Sequence, residues 1–78
     1  MTLPADLLDE LHILTLYNLA NGQEGIKIHH TAQDSLIQAV ARLHAKGLTS
    51  QPDGGYLTPL GFQAADHAQA LLSILTRA

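Results

Sequence analysis

The sequence predicts a mainly α-helical domain with one small β-hairpin, an α+β fold in the order helix, short strand, helix, hairpin, helix. Three segments carry apolar residues at helical spacing, and a Pro-Asp-Gly-Gly turn at 52–55 lies between two short apolar pieces. Hydrophobic residues make up 46% of the chain, which is enough to offset the ordering entropy of folding. The 78 residues therefore predict a single domain, residues 1–78, with a small core.

The first helix is predicted from Leu3 to Ala20. Thr2 can cap it, Pro4 suits its first turn, and Asn21-Gly22 can end it. Its apolar residues cover more than one face, which is typical of a helix buried on several sides. In so short a chain, we expect part of that surface to meet a second copy.

Residues 23–30, QEGIKIHH, are ambiguous. Ile26 and Ile28 alternate with Lys27 and His29, which is the period of a strand. We favour a brief strand here, although an irregular turn fits the same residues.

The second helix is predicted to begin at Thr31 or Asp34, either of which can cap it, and to run to Lys46 before Gly47. One side of this helix is apolar and the other is polar, so the apolar side is expected to pack on the core. The apolar stripe consists of Leu36, Val40 and Leu43, flanked by Ile37 and Ala39.

A hairpin follows, and then a final helix from Thr58 to about Thr76. Thr58 is placed to cap this helix and Pro59 to occupy its first position. Its expected apolar face contains Leu60, Ala64, Ala65, Ala68, Leu71, Leu72 and Leu75.

The stretch from Asp34 to Ala65 resembles the back half of a winged helix-turn-helix domain. In that family a recognition helix ends in Leu-x-x-Lys-Gly-Leu, and a hairpin wing closes with Tyr-x-Leu-Thr-x-x-Gly. The matching residues here are Leu43, Lys46, Gly47, Leu48, Leu57, Thr58 and Gly61. The resemblance implies a winged-helix-like fold, with Leu48 and Leu57 anchoring the hairpin in the core.

The chain departs from the winged-helix pattern at two points. Tyr56 directly precedes Leu57, without the residue that the pattern places between them. The family has a separate short helix before the recognition helix, whereas IKIHHTAQ occupies that place here. The whole chain is also similar to a small bacterial family labelled hypothetical DNA-binding protein or transcriptional regulator. Such labels rest on fold-level analogy.

Reading of double-stranded DNA would require polar side chains on the outer face of the second helix. Gln38 and Arg42 lie one turn apart there and suit adenine and guanine edges, while Ser35 and Lys46 could reach phosphates. The alternative is that these four residues are an ordinary solvated helix face.

Two features weigh against nucleic acid. Four Lys/Arg against seven Asp/Glu give a formal net charge of −3, whereas phosphate neutralisation favours basic proteins. The hairpin tip carries Asp53 and no basic residue, where a minor-groove wing offers Arg or Lys. We therefore interpret residues 52–55 as a structural turn.

No pattern typical of an enzyme or a metal site is present. The sequence lacks a nucleophile elbow, a phosphate loop and paired catalytic carboxylates, and its five histidines show no HxH or HxxxH spacing. Asp6 and Asp9-Glu10 are interpreted as one solvated acidic face of the first helix. We therefore expect no catalytic residue, no metal ligand and no cofactor.

The outward Gln38/Arg42 pair and the winged-helix resemblance favour a DNA-binding transcriptional regulator. The alternative, favoured by the charge balance and the acidic hairpin tip, is a module that binds another protein. In both, the excess of leucine predicts a homodimer formed through the first and last helices. The candidate interface residues are Leu8, Ile13, Leu16, Leu71, Leu72 and Leu75.

The expected location is the cytoplasm. The start MTLPADLLDEL is acidic and unlike a signal peptide, no cysteine is present, and no apolar run is long enough to span a membrane.

Overall fold

A computed structural model of the protein describes residues 2–77 and contains three helices and a small antiparallel sheet. The helices and strands are α1 (Ala5–Leu14), β1 (Ile26–Lys27), α2 (Asp34–Ala45), β2 (Thr49–Gln51), β3 (Gly54–Leu57) and α3 (Pro59–Leu75). The predicted α+β class and element order are confirmed, and the arrangement is consistent with a winged-helix-like fold.

The brief strand predicted within residues 23–30 is present, and it joins the hairpin as a third strand. The sheet order is β1-β3-β2 with antiparallel pairing, and Ile26 lies opposite Gly55. Beyond the strand, the Ile28 amide donates to the Asp53 carbonyl at 2.8 Å. The segment that leads into α2 is therefore tied to the hairpin tip.

The core lies where the three helices and the sheet meet. Its buried apolar residues are Ile13, Leu14, Tyr17, Ala39, Val40, Leu43, Ala65 and Ala68. Leu48 and Leu57 pack against this cluster from the two ends of the hairpin, as predicted. The predicted apolar stripe of α2 also faces inward, since Val40 and Leu43 are buried and Leu36 packs on the cluster.

The first helix is shorter than predicted at its C-terminal end, because side chains after Leu14 bond to the local backbone instead of continuing the helix. The Thr15 hydroxyl donates to the His12 carbonyl, and the Asn18 and Asn21 side chains each accept from the backbone N–H two residues on. Such Asx turns compete with helical hydrogen bonds. Residues 15–25 therefore form turns, and the prediction of a helix to Ala20 was wrong.

Neither of the first two helices has the side-chain cap that we predicted. Pro4 precedes α1 and Gln33 precedes α2, both without a side-chain hydrogen bond. Thr2 therefore caps nothing, and Asp34 is the first residue of α2, where its charge favours the positive end of the helix dipole.

The third helix begins as predicted and is fixed to the hairpin at two points. Thr58 Oγ1 accepts from the Gly61 amide at 3.0 Å and donates to the Gly47 carbonyl at 2.6 Å. Gly61 packs so closely on Leu48 that a Cβ there would meet the Leu48 carbonyl oxygen. This contact gives a physical reason for glycine at the end of the Tyr-x-Leu-Thr-x-x-Gly pattern.

We expect Thr58→Ala to lower the free energy of unfolding by about 1 kcal/mol, because the orphan amide of Gly61 loses its cap. Thr2→Ala is the matched control and should leave stability unchanged. Urea denaturation of both variants measures the difference. Equal effects of the two substitutions would contradict the capping role of Thr58.

Gly61→Ala should destabilise the protein by about 1–3 kcal/mol through overpacking, although alanine is the better helix former. Gly22→Ala is the control, because nothing lies within 4 Å of the added methyl group at that position. A thermal melt that shows Gly61→Ala to be stabilised would refute the close packing on Leu48.

Candidate interaction surfaces

The four residues predicted to contact DNA do not form one surface. Ser35 and Gln38 are exposed on α2, as a reading helix would need. Arg42 and Lys46 instead turn toward α1 and bond to the same carboxylate. Half of the predicted set therefore lies in a contact between helices.

That carboxylate belongs to Glu10, whose side chain is only 6% exposed. Arg42 Nε donates to Glu10 Oε2 at 3.0 Å, and Lys46 Nζ donates to Glu10 Oε1. Arg42 Nη2 also donates to the backbone carbonyl of Asp6 at 3.2 Å. Two cations from α2 thus hold one buried anion of α1.

The prediction of one solvated acidic face on α1 was wrong for Glu10. Asp6 is exposed and Asp9 is half-buried, but Glu10 is buried. Glu10 precedes Ile13, Leu14 and Tyr17 by three, four and seven residues, which is the spacing of a core-facing stripe. That spacing was the signal available in the sequence.

The charge state of this cluster is well defined. Burial raises the pKa of Glu10, but hydrogen bonds from Lys46 and Arg42 and their positive charges outweigh it, so the pKa lies below its ordinary value. The hydrogen bond to Glu10 in turn raises the pKa of Arg42. Glu10 and Arg42 are therefore both ionised at neutral pH.

The exposed face of α2 has no free cation. It carries Asp34 at its first position, then Ser35, Gln38, Ala41 and Ala45. A DNA-reading helix needs positive charge near phosphate, and a carboxylate at the helix start opposes it.

An open groove of about 580 Å³ runs between α2 and the hairpin tip. Lys27 and Asp53 both line it, so the groove contains one charge of each sign. His30 lines the same groove as a further polar side chain. Because the charges of Lys27 and Asp53 offset each other, the groove does not favour binding of an anion such as phosphate. It therefore adds little to a nucleic-acid-binding surface.

The candidate dimer residues separate into two groups. Ile13 is 0% exposed in the core and cannot contact another chain, so that prediction was wrong. Leu72 is half-buried. The other four each expose between 46% and 68% of their area: Leu8, Leu16, Leu71 and Leu75.

The predicted apolar face of α3 is only partly buried. Ala65 and Ala68 lie in the core, whereas Leu60, Leu71 and Leu75 are exposed, as is Ile74. Three small residues of α3, Gly61, Ala65 and Ala68, face the domain, and several of its large residues face outward. The reason is close packing, since α3 approaches the body through Gly61 and alanine.

Of two polar side chains within the domain, one has a hydrogen-bond partner and the other has none. His44 Nδ1 donates to the Thr49 carbonyl at 3.0 Å and joins α2 to β2. The Tyr17 hydroxyl is buried and has no hydrogen-bond partner within residues 2–77. Burial, aided by the charge of Asp53, raises the pKa of Tyr17 to about 12, so the phenol stays neutral at physiological pH.

Within residues 2–77, no three side chains of histidine or acidic type converge as ligands of a metal ion would. In the same part of the chain, no helix combines the length and the apolar character needed to cross a bilayer.

Glu10→Gln should lower the free energy of unfolding by about 1–3 kcal/mol, because both cations lose a charged acceptor in a buried setting. Asp9→Asn removes the same charge from the same helix and should change stability by less than about 0.5 kcal/mol. Urea denaturation at pH 7 compares them. Glu10→Gln with wild-type stability would show that the cluster does not stabilise the fold.

The contribution of Glu10 should also depend on pH. Its folded pKa is lowered, so its stabilisation is present above the unfolded carboxyl pKa, about 4.3, and is lost as pH falls through the folded pKa. The stability gap between wild type and Glu10→Gln should therefore close in acid. A gap that stays constant from pH 7 to pH 3 would contradict this.

The comparisons with known proteins give a family and no function. No curated protein and no solved structure matches the chain. One family profile matches residues 1–76, almost the whole sequence. The chain belongs to that family, which is described as a family of unknown function, DUF5669.

Proposed function

We propose that the protein is a winged-helix-like interaction module that self-associates and binds protein through the apolar surfaces of α1 and α3. The observation that carries this proposal is the exposure of large apolar side chains on both helices. Leu8 on α1 and Leu71 on α3 each leave half or more of their area in water. Single exposed leucines are ordinary, but sets of them on contacting helices are typical of interaction sites.

The exposed apolar area of these side chains determines the free energy that they can contribute to association. Fully burying a leucine contributes about 1.5–3 kcal/mol, so a half-exposed one can contribute roughly 1 kcal/mol to association. Leu71, Ile74 and Leu75 lie within one and a half turns of α3, with exposures of 55% to 68%. Together they supply the kind of apolar centre that interfaces need.

The charges of the chain support a protein partner over nucleic acid. The formal net charge is −3, and two of its four basic side chains are bonded to Glu10. The other two are Lys27, which lies in β1, and Arg77, which lies two residues beyond the end of α3. A phosphate-binding surface would need several cations on one face.

DNA binding in a transcriptional regulator is the second candidate. Exposed Ser35 and Gln38 favour it, since both lie on the helix that corresponds to the recognition helix in the winged-helix resemblance. For either function we propose a cytoplasmic location, on the basis of the cysteine-free sequence.

Sedimentation equilibrium tests self-association. We expect the wild type to populate dimers and Leu71→Glu to weaken dimerisation by at least about tenfold, because a carboxylate would be desolvated in the interface. Ser73→Glu is the matched control, an exposed residue on another side of α3. A wild type that sediments as a monomer at all accessible concentrations would overturn self-association.

Titration of a labelled mixed-sequence duplex at low salt separates the two candidates. The interaction module predicts no binding by folded protein. Binding that falls steeply with salt, and that Gln38→Ala weakens, would establish the DNA-binding alternative. Arg42→Ala is unsuitable for this test, because it also breaks the bond to Glu10.

A further inference from the structure

Helix α3 presents an exposed stripe with alternating spacing of four and three residues. We define the α3 stripe as Leu60, Ala64, His67, Leu71 and Ile74. Ala64 is half-buried and the other four side chains are exposed. A 4-3-4-3 spacing places residues along one seam of a helix, as in two-stranded coiled coils. The members span roughly 21 Å at 1.5 Å per residue.

We propose that two copies of the chain pair through this seam in an antiparallel manner, with His67 at the two-fold axis. The inference rests on the proposed self-association and specifies its geometry. The two ends of the stripe are equidistant from His67, because Leu60 and Ile74 are each seven residues away from it, while Ala64 and Leu71 lie three and four residues away. Antiparallel pairing therefore sets Leu60 opposite Ile74 of the second copy and His67 opposite His67.

Side-chain size favours antiparallel over parallel pairing. In the antiparallel arrangement the small Ala64 comes within one residue, about 1.5 Å along the axis, of the large Leu71 of the second copy, so the two fill the space between the helices. Parallel pairing would set Ala64 against Ala64 and leave a gap one turn away from a crowded Leu71 pair. Facing large and small residues pack better than matched pairs of small ones. The antiparallel helix dipoles add a small favourable term.

The polar residue at the centre restricts the register. A neutral imidazole has one donor and one acceptor, so one His67 at the axis can donate to the other, and the outer nitrogen of each ring is left to water at the edge of the seam. A shifted register would place each imidazole against leucine and leave its polar atoms unpaired, which costs about 1–3 kcal/mol per group. A single polar residue in an apolar seam commonly acts in this way.

Charge indicates a second copy as the occupant. Asp66 is the one acidic residue of α3, and it precedes His67 by one position, so it projects away from the seam. The neighbouring positions Gln63 and Ala70 are uncharged. A symmetric interface sets each residue near its own copy, so an uncharged seam on an acidic chain avoids like-charge repulsion.

The five residues of the α3 stripe are fewer than the roughly 20–30 per side of a standard interface, so we expect a weak dimer, of about micromolar affinity. The exposed leucines of α1 are available to extend the interface.

Because the chain has no cysteine, single thiols can report the geometry. Leu60→Cys, His67→Cys and Ile74→Cys each place one thiol on the stripe, and Ser73→Cys places one on another side of α3 as the control. Each variant is first checked for folding by circular dichroism. Disulfide formation is then followed under mild oxidation, alone and in equal mixtures.

We expect His67→Cys to cross-link with itself. Leu60→Cys and Ile74→Cys should cross-link with each other at least about tenfold faster than either does alone, because pairing raises the effective concentration of the facing thiols. Ser73→Cys should react at the collisional rate.

Sedimentation of the same proteins separates failure of the inference from failure of the proposed function. Self-cross-linking of Leu60→Cys and of Ile74→Cys, without preference in the mixture, would establish parallel pairing and overturn the inference alone. Dimers that cross-link at none of the three positions would place the interface elsewhere, with the same consequence. A wild type that is only monomeric would overturn both.

Discussion

The carboxylate of Glu10 lies inside the domain between α1 and α2, and each of its oxygens is bonded to a cation of α2. A buried charge is tolerated only when it is paired and hydrogen-bonded, so this contact restricts how the two helices can meet. Sliding or turning α1 would separate Glu10 from Arg42 or Lys46. The core that α1 and α2 enclose, with Ile13 opposite the α2 stripe, is compatible with this one alignment.

The contact with Glu10 also occupies two of the residues on which the expected DNA-binding function depended. Arg42 and Lys46 have the residue types of a DNA-reading helix, yet the structure uses them to join two helices. What remains on the outer face of α2 is acidic or uncharged, and leucines are exposed on α1 and α3. A winged-helix-like arrangement can therefore keep its architecture while its outer surface favours contacts of another kind.

Local signals predicted much of the architecture. Thr58-Pro59 marks the start of α3, and Gly47, with φ of 81°, ends the turn after α2.

The end of α1 escaped prediction because Asn18 and Asn21 form Asx turns that compete with a helix of good apolar spacing. The role of Glu10 escaped because its partners lie 32 and 36 residues away, and charge alone does not reveal which face is buried. For the candidate surface, exposure of Leu71 was predictable but burial of Ile13 was not, since both belong to apolar helix faces.

One side chain of α3 has a consequence for the order of folding. The Gln69 amide donates to the backbone carbonyls of Leu14 and Tyr17, at 3.1 Å and 2.8 Å, just where α1 ends. Carbonyls at a helix end need such partners when water is excluded. The carbonyl of Leu14, at the C-terminal end of α1, thus obtains a hydrogen-bond partner from a residue 55 positions further along the chain. During synthesis, the Leu14 and Tyr17 carbonyls therefore gain this partner only after Gln69 has emerged from the ribosome, so the end of α1 is among the last parts of the domain to be completed.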